Sequence, residues 1–319
     1  MKNNNILVIK HGALGDIILA GAAIKAIREF HKDYTIYCLT TKPYYKLMLE
    51  SPWIDKVILD IKPKWNDIFG WLDLMRNLKK NKFYRVYDLQ TSDRSSLYFY
   101  LFFLISSTQW SGIAYGSSFR HKNSLRKKMH TLDRHKDQLD ITGLKNLRSP
   151  DWKWLLEKEH NKYAIQNKYA LIVTGSSAHR ENKIWPKESF GSLASILAKN
   201  GIISVFIGLE NDKKNIDDII NMDATFEMRK SINLAGKTSY KDLAFLANSS
   251  LFVIGNDTGP IHLAAACGAR VFVLFGSGSD PKLCAPRGEN VVIIRKNNIK
   301  KILVRDVLER VEIFFRKNI

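Results

Sequence analysis

Short apolar runs alternate with amphipathic stretches along most of this chain. Ile6 to Ile9, Thr35 to Leu39, Lys56 to Ile61 and Arg85 to Leu89 read as strands, and Asp16 to Phe30 as a helix. Between the last two strands, Ile68, Trp71, Leu72, Met75 and Leu78 recur at helical spacing within Asp67 to Lys80. Ser149 to Lys168 breaks the pattern: it is polar, charged and without a sheet period, and reads as a linker with one helical turn. A second series follows, with strands at Tyr169 to Thr174, Ile202 to Leu209, Leu251 to Ile254 and Val271 to Phe275, and helices at Pro186 to Lys199 and Tyr240 to Asn248. Ile299 to Lys317 is again helical, with Ile302, Leu303, Val307, Leu308, Val311 and Phe315 on one side. Strands alternating with helices predict an α/β fold of mostly parallel sheets covered on both faces. The economical architecture is two nucleotide-fold domains facing a cleft, at 1–155 and 165–298. The terminal helix, 299–319, can pack back on either domain, the first being the expectation. Ligands then gather at the carboxyl ends of the strands.

Composition narrows the class of protein. The 319 residues are 45% hydrophobic and 25% charged, which suits about two soluble globular domains. Fifty lysines and arginines against 31 acidic residues give a formal charge of +19 and call for an acidic partner: nucleic acid, an anionic membrane surface or a phosphorylated substrate. The nucleic-acid reading would expect a recognisable binding module or aromatics interleaved with the charge, and neither is evident. Cys38, Cys267 and Cys284 have no CxxC spacing, so neither a disulfide framework nor a zinc site is expected. Four consecutive apolar residues before Lys10 are too few for a secretory signal, and no run reaches the ~18 to 20 of a membrane span. The apolar run Leu97 to Ile105 reads as a buried helix or, alternatively, as a membrane-facing surface.

Five places carry candidate chemistry. In Asn256 to Gly268, NDTGPIHLAAACG, an apolar run ends in Asp257, Thr258, Gly259 and Pro260 just where a helix starts. Free N–H groups and the positive end of the helix dipole there suit a phosphate or diphosphate, although an ordinary helix cap has the same letters. After the first strand, KHGALGD places Gly15 and Asp16 at a helix start, without GxGxxG or P-loop spacing. Asp16 is either a helix cap or a carboxylate able to accept a proton from a hydroxyl. After the first strand of the second series, TGSSAHRENKIWP offers Ser176, Ser177 and Lys183 to phosphate oxygens, with a solvated loop lysine as the plain alternative. In NLAGKTS, Asn233 is a candidate for a ribose or base, and Ser239 for a helix cap. The basic stretch Arg120 to Lys136, including Arg120, Lys122, Arg126 and Lys127, is either a solvated loop or a surface for an acceptor phosphate or anionic leaflet.

In order along the chain, GALGD, DLQTSDRSS, SGIAY, HTLDRHKDQL, KIWPKESF, NLAGKTS and NDTGPIHLAAACG followed by VFVLFG resemble glycosyltransferase family 9, the ADP-heptose:lipopolysaccharide heptosyltransferases. The resemblance implies a GT-B type fold of two Rossmann-like domains, the first on the acceptor side and the second binding the nucleotide sugar. It implies inverting transfer without metal or cofactor, from ADP-heptose to a lipopolysaccharide core or related glycolipid, peripherally at the inner face of the cytoplasmic membrane. Asp16 then matches the family's general base, and Lys183 with Asp257, Thr258 and Gly259 the groups facing the leaving diphosphate. Asn233 matches a position near the ribose or base, and His262 one that supports the turn or touches the ligand. The alternatives are a same-fold transferase with another nucleotide sugar and glycan, or a non-catalytic protein binding nucleotide sugar or nucleic acid.

Overall fold

Strands that are apolar on both faces need helices on both sides, and the computed structural model shows each half of the chain meeting that need separately. It describes residues 4–317 apart from 105, 146, 158–161, 164, 176–180, 224 and 226. The chain divides into two compact units, Met1–Pro150 and Asp151–Ile319.

In the first unit, β1 (Asn5–Ile9), β2 (Thr35–Thr40), β3 (Lys56–Leu59), β4 (Arg85–Asp88), β5 (Gln109–Gly112) and β6 (Phe119–Arg120) form a parallel sheet ordered β3-β2-β1-β4-β5-β6. Its helices are α1 (Leu14–Phe30), α2 (Tyr45–Leu49), α3 (Ile68–Lys79), α4 (Asp93–Tyr98) and α5 (Thr131–Asp140). Ile6 to Ile9 are fully buried, as a central strand covered on both faces requires. In the second unit, β7 (Tyr169–Val173), β8 (Ile203–Ile207), β9 (Ile232–Asn233), β10 (Phe252–Asn256), β11 (Val271–Phe275) and β12 (Val291–Arg295) are ordered β12-β11-β10-β7-β8-β9, again all parallel. Its helices are α6 (Lys187–Lys199), α7 (Lys213–Ile220), α8 (Tyr240–Ser249), α9 (Gly259–Ala266), α10 (Pro281–Cys284) and α11 (Val304–Lys317). Counted from its own first strand, each sheet has the doubly wound Rossmann order. The order reverses between β1 and β4 in one sheet and between β7 and β10 in the other, and topology of this kind places a ligand at the carboxyl ends of those strands.

Three sequence expectations change. The terminal helix joins the second unit: Val304, Val307, Leu308, Val311 and Phe314 of α11 enter its core, and the Phe272 and Phe314 rings lie 5.8 Å apart. Its apolar stripe completes a core that already exposes Phe272 and Ile294 to it. The expected linker is folded from Asp151 to Leu156, because Trp152 and Leu155 are buried apolar anchors and the Trp152 N–H donates to the Ala266 carbonyl at 3.0 Å. The unit boundary therefore falls at Pro150, before residue 155. The apolar run after Leu97 is two-faced, with Tyr98, Phe99, Phe102 and Phe103 buried while Tyr100, Leu101 and Leu104 are exposed.

One buried histidine gives this fold a pH dependence. His31, at the end of α1, meets the Tyr87 hydroxyl at 2.8 Å. Burial, followed by the charges of Arg85 and Arg28, pushes its pKa down to about 4. Between about pH 6.5 and about 4 the unfolded chain then holds a proton that the folded one does not, so stability falls as pH drops through that window. His135, also depressed by burial, contributes with the same sign. Urea unfolding across this range is expected to show a shallower pH dependence in His31→Gln than in the wild type; equal slopes would remove His31 from the account.

Candidate active site

In the first unit the β1 run ends in Lys10 and His11, both buried. The His11 N–H donates to Gln90 Oε1 at 3.0 Å and its carbonyl accepts from Thr41 Oγ1 at 2.8 Å, which ties the glycine loop to the loops after β4 and β2. Gly12 has φ +130°, and a side chain there would collide with Tyr44. The Tyr44 hydroxyl accepts the Leu14 N–H, and burial and the Asp16 charge raise its pKa. Ala13 is the N-cap of α1 and offers no side-chain acceptor, so Asp16 is the third helical residue rather than the cap. Its carboxylate is half-buried and close enough to Lys10 and Tyr44 to shift both electrostatically.

The loop after β4 completes this half. Asp88 is fully buried, and burial pushes its pKa up to about 6, although its Oδ1 accepts the N–H groups of Gln90 at 3.1 Å and Thr91 at 2.8 Å. Thr91 holds φ +46°, a conformation costing ~1–2 kcal/mol in an L-residue, and its hydroxyl accepts from Arg126 Nη2 at 2.8 Å. Helix α5 is anchored here by Gln138, which donates to the Asp88 carbonyl at 3.0 Å. One turn earlier on α5, Arg134 is near enough to depress both Arg126 and Lys10, next to burial itself. Three cations, Lys10, Arg126 and Arg134, thus gather around two carboxylates, Asp16 and Asp88. Lys10 is held low mainly by its burial.

In the second unit Gly255 lies opposite Val173, and any side chain on it would strike the Val173 carbonyl oxygen. This close approach lets the fully buried Asn256 bridge the two switch-point loops: it donates to the Thr174 carbonyl at 2.9 Å and accepts the Trp185 N–H at 3.0 Å. The turn Glu181–Lys183 is held by this clamp, and Lys183 Nζ lies 2.8 Å from Asp257 Oδ2. His262 Nε2 stands 3.3 Å from the other carboxylate oxygen, and Cys284 Sγ 3.7 Å from Oδ2. Burial alone would raise the Asp257 pKa, but the hydrogen bonds from His262 and Lys183 outweigh it and hold the carboxyl well below its usual range. Asp257 is therefore an anion that orients Lys183, whose ammonium keeps further N–H donors for a ligand. Thr258 is the N-cap of α9, but its hydroxyl turns back to the Asn256 carbonyl at 3.3 Å and no side chain caps the helix. The N–H groups of Gly259 and Ile261 have no acceptor within α9, which makes this end a place for anionic oxygens.

The structure thus brings Lys183, Asp257, Thr258, Gly259 and His262 together, with His262 braced on Asp257. Gly15 and Asp16 share the first turn of α1. Ser176 and Ser177 lie outside the described residues. Asn233 ends β9 with its amide engaged locally, donating to Asp217 Oδ1 at 2.7 Å and accepting the Ala235 N–H at 3.0 Å. Of the basic stretch, Arg126 reaches the Asp88–Thr91 loop, Arg120 lies over the Tyr115 ring at 4.9 Å, and Lys122 and Lys127 are exposed. Sequence reasoning missed Lys10, Tyr44 and Asn256; for Lys10 and Asn256 the available signal was a polar residue closing a strand of apolar ones. A cavity of about 730 Å³ beside Thr174, Trp185, Pro186 and Lys300 is lined by neither Lys183 nor Asp257 and is left outside the site.

With this geometry in place, the family profile described as glycosyltransferase family 9 (heptosyltransferase) matches residues 71–309. The chain belongs to glycosyltransferase family 9. Lipopolysaccharide heptosyltransferase 1 of Campylobacter coli is 29% identical over 93% of this chain and 88% of its own length. Among solved structures, the family 9 glycosyltransferase of Veillonella parvula aligns with a TM-score of 0.82 at 19% identity, covering 99% of both chains. The Escherichia coli heptosyltransferase WaaC with ADP aligns at 0.79 with 18% identity, covering 97% of this chain and 99% of that one. This family 9 chain is a glycosyltransferase of the GT-B fold.

Proposed function

We propose that this glycosyltransferase moves a heptose from ADP-heptose to a lipopolysaccharide core or related glycolipid, with inversion and without a metal, at the inner face of the cytoplasmic membrane. One observation carries the donor half of this reading: the buried Lys183–Asp257 pair stands beside the uncapped start of α9, at the switch point of the second sheet. That arrangement presents an ammonium and backbone N–H groups to one anionic ligand, which suits the diphosphate of a nucleotide sugar. At the matching place in the first sheet, Asp16 removes the proton of the acceptor hydroxyl as that oxygen bonds to the anomeric carbon. The bond from that carbon to the diphosphate breaks on the opposite face, and ADP leaves with the electron pair. Lys183 and the start of α9 stabilise the charge that accumulates on the departing phosphate. Ser176 and Ser177 are proposed to add hydroxyl donors there, and Asn233 to meet the nucleoside through the remaining capacity of its carbonyl. Lys10, Arg126 and Arg134 hold acidic groups of the acceptor, with Arg120, Lys122 and Lys127 attracting it or the anionic leaflet from further out.

The relatives support this choice of donor and acceptor, being described as lipopolysaccharide heptosyltransferases or solved with ADP or an ADP-heptose analogue. Titration with ADP, UDP, GDP and CMP without added metal, followed by thermal unfolding, tests the nucleotide. ADP is expected to raise the midpoint by several degrees, since saturation at 100 Kd adds about 2.7 kcal/mol. A larger response to another nucleotide would replace the donor, and none to any would remove the donor site.

A further inference from the structure

The apolar surface least explained by the fold lies just after β3, at the carboxyl edge of the first sheet, the same end that carries the Asp16 loop. Phe69 is 84% exposed, Trp65 73% and Ile68 68%, with Ile61 and Leu72 also exposed. Large apolar side chains so far out of a core mark a surface that something else covers. This one is built to project. Trp71 donates from Nε1 to the Lys64 carbonyl at 3.0 Å, and Arg94 donates to the Pro63 carbonyl at 3.0 Å. The Arg94 guanidinium also lies 5.5 Å from the Trp65 ring and 5.2 Å from the Trp71 ring. Asp67 caps α3 by accepting the Gly70 N–H at 2.8 Å. The loop is thus pinned from beneath, while α3 buries its other face through Leu74 and Leu78.

Charge identifies the partner. Between Ile61 and Lys82 six basic residues stand against two acidic ones. All six, Lys62, Lys64, Arg76, Lys79, Lys80 and Lys82, are exposed. An aromatic and aliphatic tip bordered by lysines and arginines matches a bilayer interface, where rings enter the boundary between headgroups and acyl chains and the cations meet lipid phosphates. We infer that Trp65, Ile68 and Phe69 form a wedge that docks the first unit on a membrane containing anionic lipid. The inference rests on the proposed lipid-borne acceptor, and it moves the membrane contact from the Arg120–Lys127 stretch to the loop after β3. Docking through this edge brings the Asp16 end of the sheet to the surface where such an acceptor resides.

Co-sedimentation of the full chain with vesicles of phosphatidylcholine, alone or mixed with phosphatidylglycerol, tests it. Wild type is expected to bind the mixed vesicles, and Trp65→Ser/Phe69→Ser to bind them at least about tenfold more weakly. Lys62→Glu/Lys64→Glu is expected to lose the gain from phosphatidylglycerol. With an acceptor stripped of its acyl chains, the Trp65→Ser/Phe69→Ser enzyme should turn over within about twofold of wild type, since the wedge acts on lipid only. Equal vesicle binding by wild type and Trp65→Ser/Phe69→Ser would overturn the wedge while leaving membrane association intact. No vesicle binding by an active wild type would overturn both, yet leave glycosyl transfer standing. Equal loss on the acyl-free acceptor would reassign these side chains to the acceptor site. A wild-type dimer abolished by Trp65→Ser/Phe69→Ser, without vesicle binding, would assign the surface to a second copy.

Discussion

An Asp16→Asn enzyme is expected to fold and to bind ADP as the wild type does while losing about 10²- to 10⁴-fold in kcat, the range of a positioned general base. The substitution nearly preserves shape. Asp16 is the third residue of α1, so the amide forfeits only its interaction with the helix dipole, about 0.3–1 kcal/mol. What it cannot do is accept a proton. It also removes the carboxylate that raises the pKa of the fully buried Lys10, so that ammonium becomes easier to neutralise. Parallel kinetics and thermal unfolding of Asp16→Asn separate the two effects: a large fall in kcat with a midpoint shift of a degree or two supports the base. Turnover within a few fold of wild type would mean another group takes the proton.

The second large effect is expected at the Lys183–Asp257 pair, read as a double-mutant cycle. Lys183→Met leaves the Asp257 carboxylate buried without its ammonium partner, with the His262 ring still 3.3 Å from Oδ1, and breaking a buried pair this way costs about 3–5 kcal/mol. Asp257→Asn leaves the ammonium uncompensated and is also destabilising. The double substitution removes both charges and is expected to recover most of the stability but none of the turnover, which stays down about 10²- to 10³-fold. Stability recovered together with activity would make the pair structural only. The pH sign is fixed by the depressed Asp257 pKa. Its contribution is full above the unfolded value near pH 4 and is lost as pH falls toward the lower folded value. The stability gap between wild type and Asp257→Asn therefore narrows in acid.

The fold was legible wherever burial is uniform. Strands β1, β7, β10 and β11 are nearly wholly buried, so their apolar letters stand out against the helices that cover them. Two-residue strands such as β6 and β9 are too short for any period to register. Helix α5 was hidden for a different reason: its buried face includes Thr131, His135 and Gln138, so a packed helix looks like a solvated basic loop. Gly15, Asp16 and the DTG turn could be placed at helix starts from sequence because a strand, a turn and a helix start are all local signals. The ion pair joining Lys183 to Asp257 spans 74 residues, and the Asn256 bridge to Thr174 spans 82, so both exist only once β7 and β10 pair. Lys10 is one letter at the end of an apolar run; its meaning comes from Asp16, Asp88 and Arg134, which three separate loops and helices deliver.

Heptosyl transfer is read by incubating the purified enzyme with ADP-heptose and heptose-free lipopolysaccharide, without added metal, and weighing the acceptor by mass spectrometry. The expected product is an acceptor heavier by one heptose residue with an equivalent of ADP released, and neither from Asp16→Asn in the same time. Release of ADP without acceptor gain, or acceptor gain that proceeds equally in Asp16→Asn, would contradict it.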